Sequence, residues 1–108
     1  MGLTKTEEFT KTQNEMASIA KALGHPARIA ILQFLMKSKS CVCGEIVDEL
    51  PLSQSTVSQH LGELKKAGLI KGDIDGPSVC YCIDEKAWNK AKKMIAELFD
   101  SYEPSNCC

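Results

Sequence analysis

Residues 41–70, CVCGEIVDELPLSQSTVSQHLGELKKAGLI, contain two helical patterns that are joined by a tight turn. In the first pattern, GEIVDEL, the side chains of Ile46, Val47 and Leu50 share one face. Pro51 ends this helix because proline lacks the backbone N–H that would continue it, and Leu52 tucks into the turn. The pattern predicts a short amphipathic helix over about residues 44–50.

A second helix is predicted directly after this turn. Ser53 suits its N-cap position, and Gly68 suits the position that follows its last turn. Between them, Val57, Leu61 and Leu64 recur at helical spacing, which predicts one buried face. Two helices separated by so tight a turn form a helix-turn-helix unit.

The flanking segments predict the rest of a small fold. Residues 4–22 contain neither glycine nor proline and lead to Gly24, so they predict a first helix. Pro26 suits the first turn of a second helix, and ARIAILQFLM is apolar enough to form the central core helix. LIKGDI and SVCYCI alternate in polarity around the turn sequence DGP, which predicts a β-hairpin.

Helix, turn, helix and hairpin in this order are typical of a winged helix-turn-helix. We therefore predict a mainly α fold with a small β-hairpin, in the order ααααββα. Because 108 residues support one core but not two, we expect a single domain over residues 1–108. Its predicted parts are the helix-turn-helix at about 44–68, the wing at about 69–84, a C-terminal helix at about 85–102 and a cysteine-containing tail at 103–108.

Composition and charge indicate an ordinary globular protein. Hydrophobic residues make up 44% of the chain and charged residues 25%, values that exclude wholesale disorder. No apolar run reaches the roughly 18 residues of a membrane span, and the polar start does not resemble a secretion signal, so we expect a cytosolic protein. The net charge is only −1, but residues 53–72 are basic and residues 73–84 are acidic.

The second helix of a helix-turn-helix enters the major groove of DNA with its N-terminal end. Its outward side chains here are polar groups that can bond base edges or phosphate. Lysines one turn further along suit contacts with the DNA backbone. The predicted DNA-binding residues are Gln54, Ser55, Thr56, Ser58, Gln59, His60, Lys65 and Lys66.

Six cysteines occur as three close pairs, at 41 and 43, at 80 and 82, and at 107 and 108. In a reducing compartment such pairs are more often metal ligands or redox groups than structural disulfides. If CVC is extended, Cys41 and Cys43 point to the same side, about 6.5 to 7 Å apart at the backbone, and both sulfurs can reach one ion. Soft thiolates select soft ions.

LGHPARIAILQFL, residues 41–70 and the following hairpin together resemble the ArsR/SmtB family of metal-responsive repressors. The resemblance covers nearly the whole chain. It implies a winged-helix homodimer that is built on the first and last helices. Such a dimer binds a twofold-symmetric operator and releases it when a metal or metalloid binds. One departure is the acidic segment GDIDGPS at the wing tip, which phosphate would repel.

The CVC motif is similar to the arsenite site of arsenic-responsive members of this family. In those members a third cysteine follows three residues after the second, a position that Ile46 occupies here. The resemblance therefore implies arsenite or antimonite as inducer, with three-sulfur coordination and one ligand from elsewhere in the chain. We favour the tail, Cys107 and Cys108, because a flexible end can complete the site without straining a sheet. The alternative is Cys80 or Cys82 on the second hairpin strand.

The last helix carries a heptad-like apolar stripe on a surface rich in lysine and glutamate. Part of the stripe must pack on the first helix, and we expect the rest to form the dimer interface. The stripe consists of Trp88, Ala91, Ile95, Leu98 and Tyr102.

Two other functions remain open at the level of sequence. Paired cysteines also suit a redox-sensing or persulfide-sensing repressor of the same fold. The acidic wing suits a winged module that never binds DNA and only stores or relays a metal. An enzyme is not expected, because no cysteine has a histidine at a comparable motif position. His25, which precedes Pro26, is predicted to be a helix-entry residue.

Overall fold

The computed structural model describes residues 8–38, 42–43, 50–73 and 80–105, and of residues 42, 43 and 73 it describes only the backbone. In this part of the chain the helices and the hairpin follow the predicted order, and a short strand that was not predicted precedes the helix-turn-helix. The mainly α fold class with a β-hairpin is confirmed. Residues 44–49 of the predicted helix at 44–50, the wing tip and the end of the tail lie outside the described residues. The elements are α1 (Lys11–Leu23), α2 (Pro26–Lys37), β1 (Val42–Cys43), α3 (Gln54–Lys66), β2 (Ile70–Asp73), β3 (Cys80–Ile83) and α4 (Glu85–Asp100).

Helix α1 begins later than the glycine- and proline-free stretch predicts. Thr10 is its N-cap, and the Thr10 hydroxyl oxygen accepts a hydrogen bond from the backbone N–H of Gln13 at 3.0 Å. The Gln13 side-chain oxygen accepts in return from the backbone N–H of Thr10. This reciprocal capping box satisfies two otherwise unpaired donors and sets the start of the helix at Lys11.

Helix α2 is the central helix, as predicted. His25 caps it, with its ring Nδ1 accepting from the backbone N–H of Ala27 at 3.0 Å, and Pro26 occupies the first helical position. The role of His25 as a helix-entry residue is therefore confirmed. Ile31, Leu32 and Leu35 of α2 are almost completely buried.

Three antiparallel strands form one sheet in the order β1-β3-β2. In β2, Gly72 pairs with Tyr81 of β3 and has a φ of 121°. A Cβ atom at Gly72 would collide with the backbone carbonyl of Cys80, so a glycine is required for the strands to approach this closely. The sheet thereby places Tyr81, only 1% exposed, in the core.

The core lies between α2, α3 and the sheet, with α1 and α4 packed on its side. Beside Ala22 and Ala91, the buried side chains are those of Ile31, Leu32, Leu35, Val57, Leu61, Leu64, Leu69, Ile70 and Tyr81. An exposed ion pair between Lys90 and Glu15, with N and O 3.7 Å apart, also links α4 to α1. None of the described helices is both long and apolar enough to cross a lipid bilayer.

Candidate functional site

Helix α3 has one buried and one polar face. Val57, Leu61 and Leu64 are at most 2% exposed and anchor the helix to the core, as their spacing predicts. Ser53 is the N-cap, and its hydroxyl oxygen accepts from the backbone N–H of Thr56 at 3.3 Å. Gly68 follows the helix with a φ of 86°, a conformation that favours glycine. Strong burial on one side therefore fixes which side chains α3 presents outward.

The outward face of α3 begins with a cluster of hydroxyl groups. The Ser53 Oγ donates to Thr56 Oγ1 at 3.0 Å and lies 3.1 Å from Ser55 Oγ. These bonds hold three hydroxyl groups together at the positive end of the helix dipole, where phosphate and base acceptors are favoured. The other exposed side chains of the predicted DNA-binding set are Gln54, Ser58, Gln59, Lys65 and Lys66. That these residues contact DNA stays a prediction.

His60 departs from the predicted DNA-binding face. Its side chain is only 8% exposed, and its Nδ1 accepts a hydrogen bond from Nε of Arg28 at 3.1 Å. The ring lies against that of His25, with the centroids 4.4 Å apart. The prediction that His60 faces DNA is therefore wrong, because the ring fills a space between α2 and α3 instead.

Burial is the largest of three effects that lower the pKa of His60 below its usual value of 6.5; the nearby His25 and Arg28 add to it. The lowered pKa favours the neutral ring, in which Nδ1 carries no proton and accepts from Arg28. The tautomer that follows from this hydrogen bond carries its proton on Nε2.

Arg28 is a residue whose importance the sequence analysis missed. Besides bonding His60, its Nη1 donates to the backbone carbonyls of Lys21 and Ala22, at 3.4 and 3.3 Å. It thus joins the C-terminal end of α1 to α2 and α3. A lone arginine in the mostly apolar segment PARIAILQFLM was the available signal, since a half-buried cation needs acceptors nearby.

The cysteines of β3 lie on the side of the strand opposite Tyr81. Successive side chains of a strand alternate, and Tyr81 is the one that enters the core, whereas Cys80 and Cys82 are half-buried. The sequence pattern alone left open which set fills the core.

Strand β1 brings the CVC motif to this cysteine pair. Val42 pairs with Tyr81, and Cys43 pairs with Cys80. Cys80 is disulfide-bonded. Which segment supplies the further sulfur ligand stays a prediction. The predicted tail ligands Cys107 and Cys108 lie outside the described residues, as does Cys41. Within the described side chains no three His, Cys, Asp or Glu residues form a metal site.

The predicted dimer stripe divides into two halves. Ala91 is buried, and Trp88 packs against the core of its own chain. Ile95 is half-buried, whereas Leu98 is 52% and Tyr102 72% exposed. An open apolar depression of about 490 Å³ between α1, α2 and α4 continues this surface. Phe99, 72% exposed, and Phe9, 52% exposed, add large apolar groups to the surface of this chain.

Comparison with known proteins shows which class of protein this chain is similar to. The family described as "Bacterial regulatory protein, arsR family" matches residues 25–71. An uncharacterized HTH-type transcriptional regulator of Methanocaldococcus jannaschii is 42% identical over 76% of this chain and 92% of its own length. The HTH-type transcriptional regulator YgaV of Escherichia coli is 32% identical over 94% of this chain and 100% of its own length. The HTH-type transcriptional repressor SmtB of Mycobacterium tuberculosis is 46% identical over 58% of this chain and 46% of its own length.

Two solved structures share the fold. An ArsR-like transcriptional regulator from Rhodococcus sp. RHA1 has a TM-score of 0.68 at 24% identity and covers 84% of this chain and 85% of that one. Rv0081 of M. tuberculosis has a TM-score of 0.60 at 30% identity and covers 85% of this chain and 96% of that one. The relatives are transcriptional regulators, which confirms the expectation that this chain is not an enzyme.

Proposed function

The chain belongs to the ArsR/SmtB family of helix-turn-helix transcriptional regulators, and we propose that it is a homodimeric repressor whose DNA affinity falls when its cysteine thiolates bind arsenite or antimonite. The observation that carries this proposal is the β1–β3 register. It sets Cys43 across from Cys80, and in the sequence Cys43 directly precedes the segment that is predicted to be the first helix of the helix-turn-helix. An effector bound there lies next to the unit that reads DNA.

The polar face of α3 supports the DNA-binding half of the proposal. Its hydroxyl cluster lies at the helix N-terminus, and Gln54, Ser58 and Gln59 extend the exposed polar surface along the helix. Glutamine can bond an adenine edge with two hydrogen bonds, and serine can bond a base or phosphate. Lys65 and Lys66, exposed at the other end, supply positive charge for the DNA backbone.

The net charge of the chain is only −1, so a single copy has little general attraction for DNA. A dimer would compensate for this. Two recognition helices that bind two half-sites of one operator add their contacts, so each helix needs only modest affinity. The exposed apolar residues at the C-terminal end of the predicted stripe, Leu98 on α4 and Tyr102 just beyond the end of α4, are a suitable interface. Residues of this size are costly to leave in water, and their burial between two copies stabilises the dimer.

The thiol half of the proposal applies to the protein in which the disulfide of Cys80 has been reduced. It assigns Cys43 and Cys80 as two of the sulfur ligands and Cys41, two residues before Cys43, as the third. Trivalent arsenic is a soft centre that prefers thiolate sulfur. Because the pairing of β1 with β3 is antiparallel, the Cys43 and Cys80 backbones are direct neighbours, and a shared ligand needs no rearrangement of the sheet. This choice replaces the tail as the favoured source of the further ligand.

Release requires that the metalloid binds better to the form that does not fit DNA. Moving a population from 1:99 to 99:1 takes about 5.5 kcal/mol of differential binding. Several arsenic–sulfur bonds that link β1 to β3 can supply this difference. They constrain the start of the helix-turn-helix while α3 stays anchored to α2 by its buried face.

Arsenite titration of a preformed protein–DNA complex tests the proposal. The probe is a DNA site that the purified protein selects from random sequence, and the reductant is a phosphine, because a dithiol would compete for arsenite. Arsenite is expected to release wild-type protein. Cys43→Ser is expected to raise the arsenite concentration for half-release by more than about tenfold, since one of the sulfur ligands is lost.

Cys82→Ser is the matched control, because Cys82 lies two residues from Cys80 on the same strand and is not assigned to the site. It should respond to arsenite within about twofold of wild type. Equal responses of Cys43→Ser and wild type would refute the thiol assignment. If no selected site showed salt-dependent binding, a winged module that does not bind DNA would be the better interpretation.

A further inference from the structure

Arg28 connects three helices through one side chain. It belongs to α2, its Nη1 donates to the backbone carbonyls of Lys21 and Ala22 in the last turn of α1, and its Nε donates to Nδ1 of His60 on α3. Carbonyls in the last turn of a helix lack partners within that helix, so they are suitable acceptors for a guanidinium group. Besides apolar packing, these hydrogen bonds therefore link α3 to α1 and α2.

His60 lies in the section of α3 that is predicted to read DNA. Gln59, which directly precedes it, is exposed and is a predicted base contact, whereas His60 fills a space between α2 and α3. The neighbouring buried residues Val57 and Leu61 hold the same section of the helix to the core. Because a helix moves as a rigid element in a closely packed core, displacement of the His60 ring would shift Gln59 as well.

The groups around His60 favour a ring without charge. Arg28 contacts the ring from α2, and His25, the N-cap of α2, lies against it with the ring centroids 4.4 Å apart. Further charged side chains line a cavity of about 220 Å³ beside Arg28; they are Lys21 of α1 and Glu63 and Lys66 of α3. Only Glu63 in this set is negative, and its exposed position means that water screens its charge.

A second proton on His60 would remove the acceptor for Arg28. The neutral ring carries its proton on Nε2, so the second proton binds at Nδ1, which then faces the donor Nε of Arg28 at 3.1 Å. Two donors that both belong to cations repel each other. The pKa of His60 is lowered from 6.5, first by burial and then by His25 and Arg28, so the ring is neutral at pH 7.5 and is half-protonated only below pH 6.5.

We propose that Arg28 and His60 form a positioning pair that holds α3 in the orientation that binds DNA, and that protonation of His60 separates the pair and weakens DNA binding. The inference rests on the proposed function, in which α3 binds DNA. Added positive charge by itself strengthens binding to DNA, because the phosphates attract it. Weaker binding in acid therefore distinguishes displacement of α3 from a general effect of charge.

The pH dependence of DNA binding tests the proposal. The chain contains two histidines, so the imidazole signals in NMR spectra give the protonation midpoint of His60, and His25→Gln assigns them. Affinity for the DNA site that the purified protein selects is measured by fluorescence anisotropy at constant ionic strength. One pH unit below the midpoint, wild type should bind about tenfold more weakly than at pH 7.5, since about ten of eleven His60 rings in the free protein are then protonated.

Two variants separate positioning from charge. His60→Gln keeps an acceptor but does not titrate, so its affinity should change by less than about twofold over the same pH range. Arg28→Lys keeps the charge but loses the planar fork that reaches three acceptors, so at pH 7.5 it should bind DNA more than about fivefold more weakly than wild type. Circular dichroism confirms that each protein is folded at each pH. Should wild type unfold before the midpoint, Arg28→Lys at pH 7.5 decides.

Lys21→Gln is the matched control for Arg28→Lys. It removes a neighbouring charge but leaves the Lys21 carbonyl in place, so it should bind DNA within about twofold of wild type at pH 7.5.

Three results would overturn the proposal: wild-type affinity that stays constant or rises as His60 is protonated, a parallel loss in His60→Gln, or wild-type affinity of Arg28→Lys. A protein that binds no DNA at pH 7.5 would refute the proposed function instead. The backbone amide signals of α3 would then decide the pair by themselves, since signals that do not shift at the His60 midpoint would refute it as well.

Discussion

Arg28 donates a hydrogen bond to His60 of α3. The packing of α3 therefore depends on the protonation state of this histidine. The bond requires a neutral ring, because protonated Nδ1 cannot accept from a guanidinium. Burial, together with the electrostatic effects of His25 and Arg28, lowers the pKa of His60 in the folded state. In the unfolded chain the same group keeps its ordinary value of about 6.5.

The stability of the protein should therefore decrease as the pH falls below about 6.5. Between the folded and unfolded pKa values the unfolded chain binds more protons, so acid favours unfolding. One such group contributes a slope of up to about 1.4 kcal/mol per pH unit. His60→Gln, which offers an acceptor to Arg28 but does not titrate, should reduce this slope. Urea unfolding at several pH values from 7.5 to 5 measures it, and equal slopes for the two proteins would contradict the prediction.

Gly72→Ala should destabilise the protein by about 2 kcal/mol or more. The residue has a φ of 121°, and a Cβ atom would collide with the Cys80 carbonyl. Lys71→Ala, at the exposed position next to it, is the control and should change stability by at most about 0.5 kcal/mol. Thermal and urea unfolding give both values. A neutral Gly72→Ala variant would mean that β2 and β3 do not approach so closely.

At the scale of the element, helix α3 has two kinds of predicted DNA contact along its length. Gln59 is predicted to contact a base, and Lys65, nearer the C-terminal end, is predicted to contact the DNA backbone. Gln59→Ala should weaken binding to the selected DNA site by about 1–3 kcal/mol and relax sequence preference at one position. Fluorescence anisotropy with a panel of single-base variants of the site measures both effects. A Gln59→Ala protein with unchanged affinity and unchanged preference would show that this residue does not contact a base.

Lys65→Gln should weaken binding to every sequence alike and reduce the slope of log affinity against log salt by about 1. Its control is Lys86→Gln, which removes the same charge from an exposed residue on α4 and should leave the slope unchanged. Titrations between 50 and 300 mM salt supply the slope. If the two variants behaved alike, the effect would come from net charge and not from a phosphate contact at α3.

At the scale of the whole molecule, the exposed half of the α4 stripe predicts the oligomeric state. Leu98→Glu with Tyr102→Glu should convert a dimer into a monomer and weaken operator binding by more than about tenfold, because the two half-site contacts are uncoupled. Lys93 lies on the opposite face of α4, so the Lys93→Glu variant is the control and should remain dimeric. Sedimentation equilibrium measures the mass. A wild-type monomer, or a dimeric double variant, would exclude this interface.

Local patterns in the sequence determined most of the helices and the hairpin. Apolar spacing, Ser53 and Gly68 delimit α3, and Pro26 begins α2, because caps and periodicity act over a few residues. A signal of this local kind was also present for α1, since Thr10 and Gln13 form a capping-box pattern. The sequence likewise contained the motifs that identify the family.

Only the tertiary structure decided how distant segments meet. His60 is three residues after Val57 and four before Leu64, so its spacing is compatible with burial. Yet burial became favourable only because Arg28, from another helix, offers it a hydrogen bond. In the same way, the pairing of β1 with β3 brings Cys43 opposite Cys80. Backbone hydrogen bonds between segments far apart in sequence leave no periodic trace, and their partners are selected by the packing of the whole core.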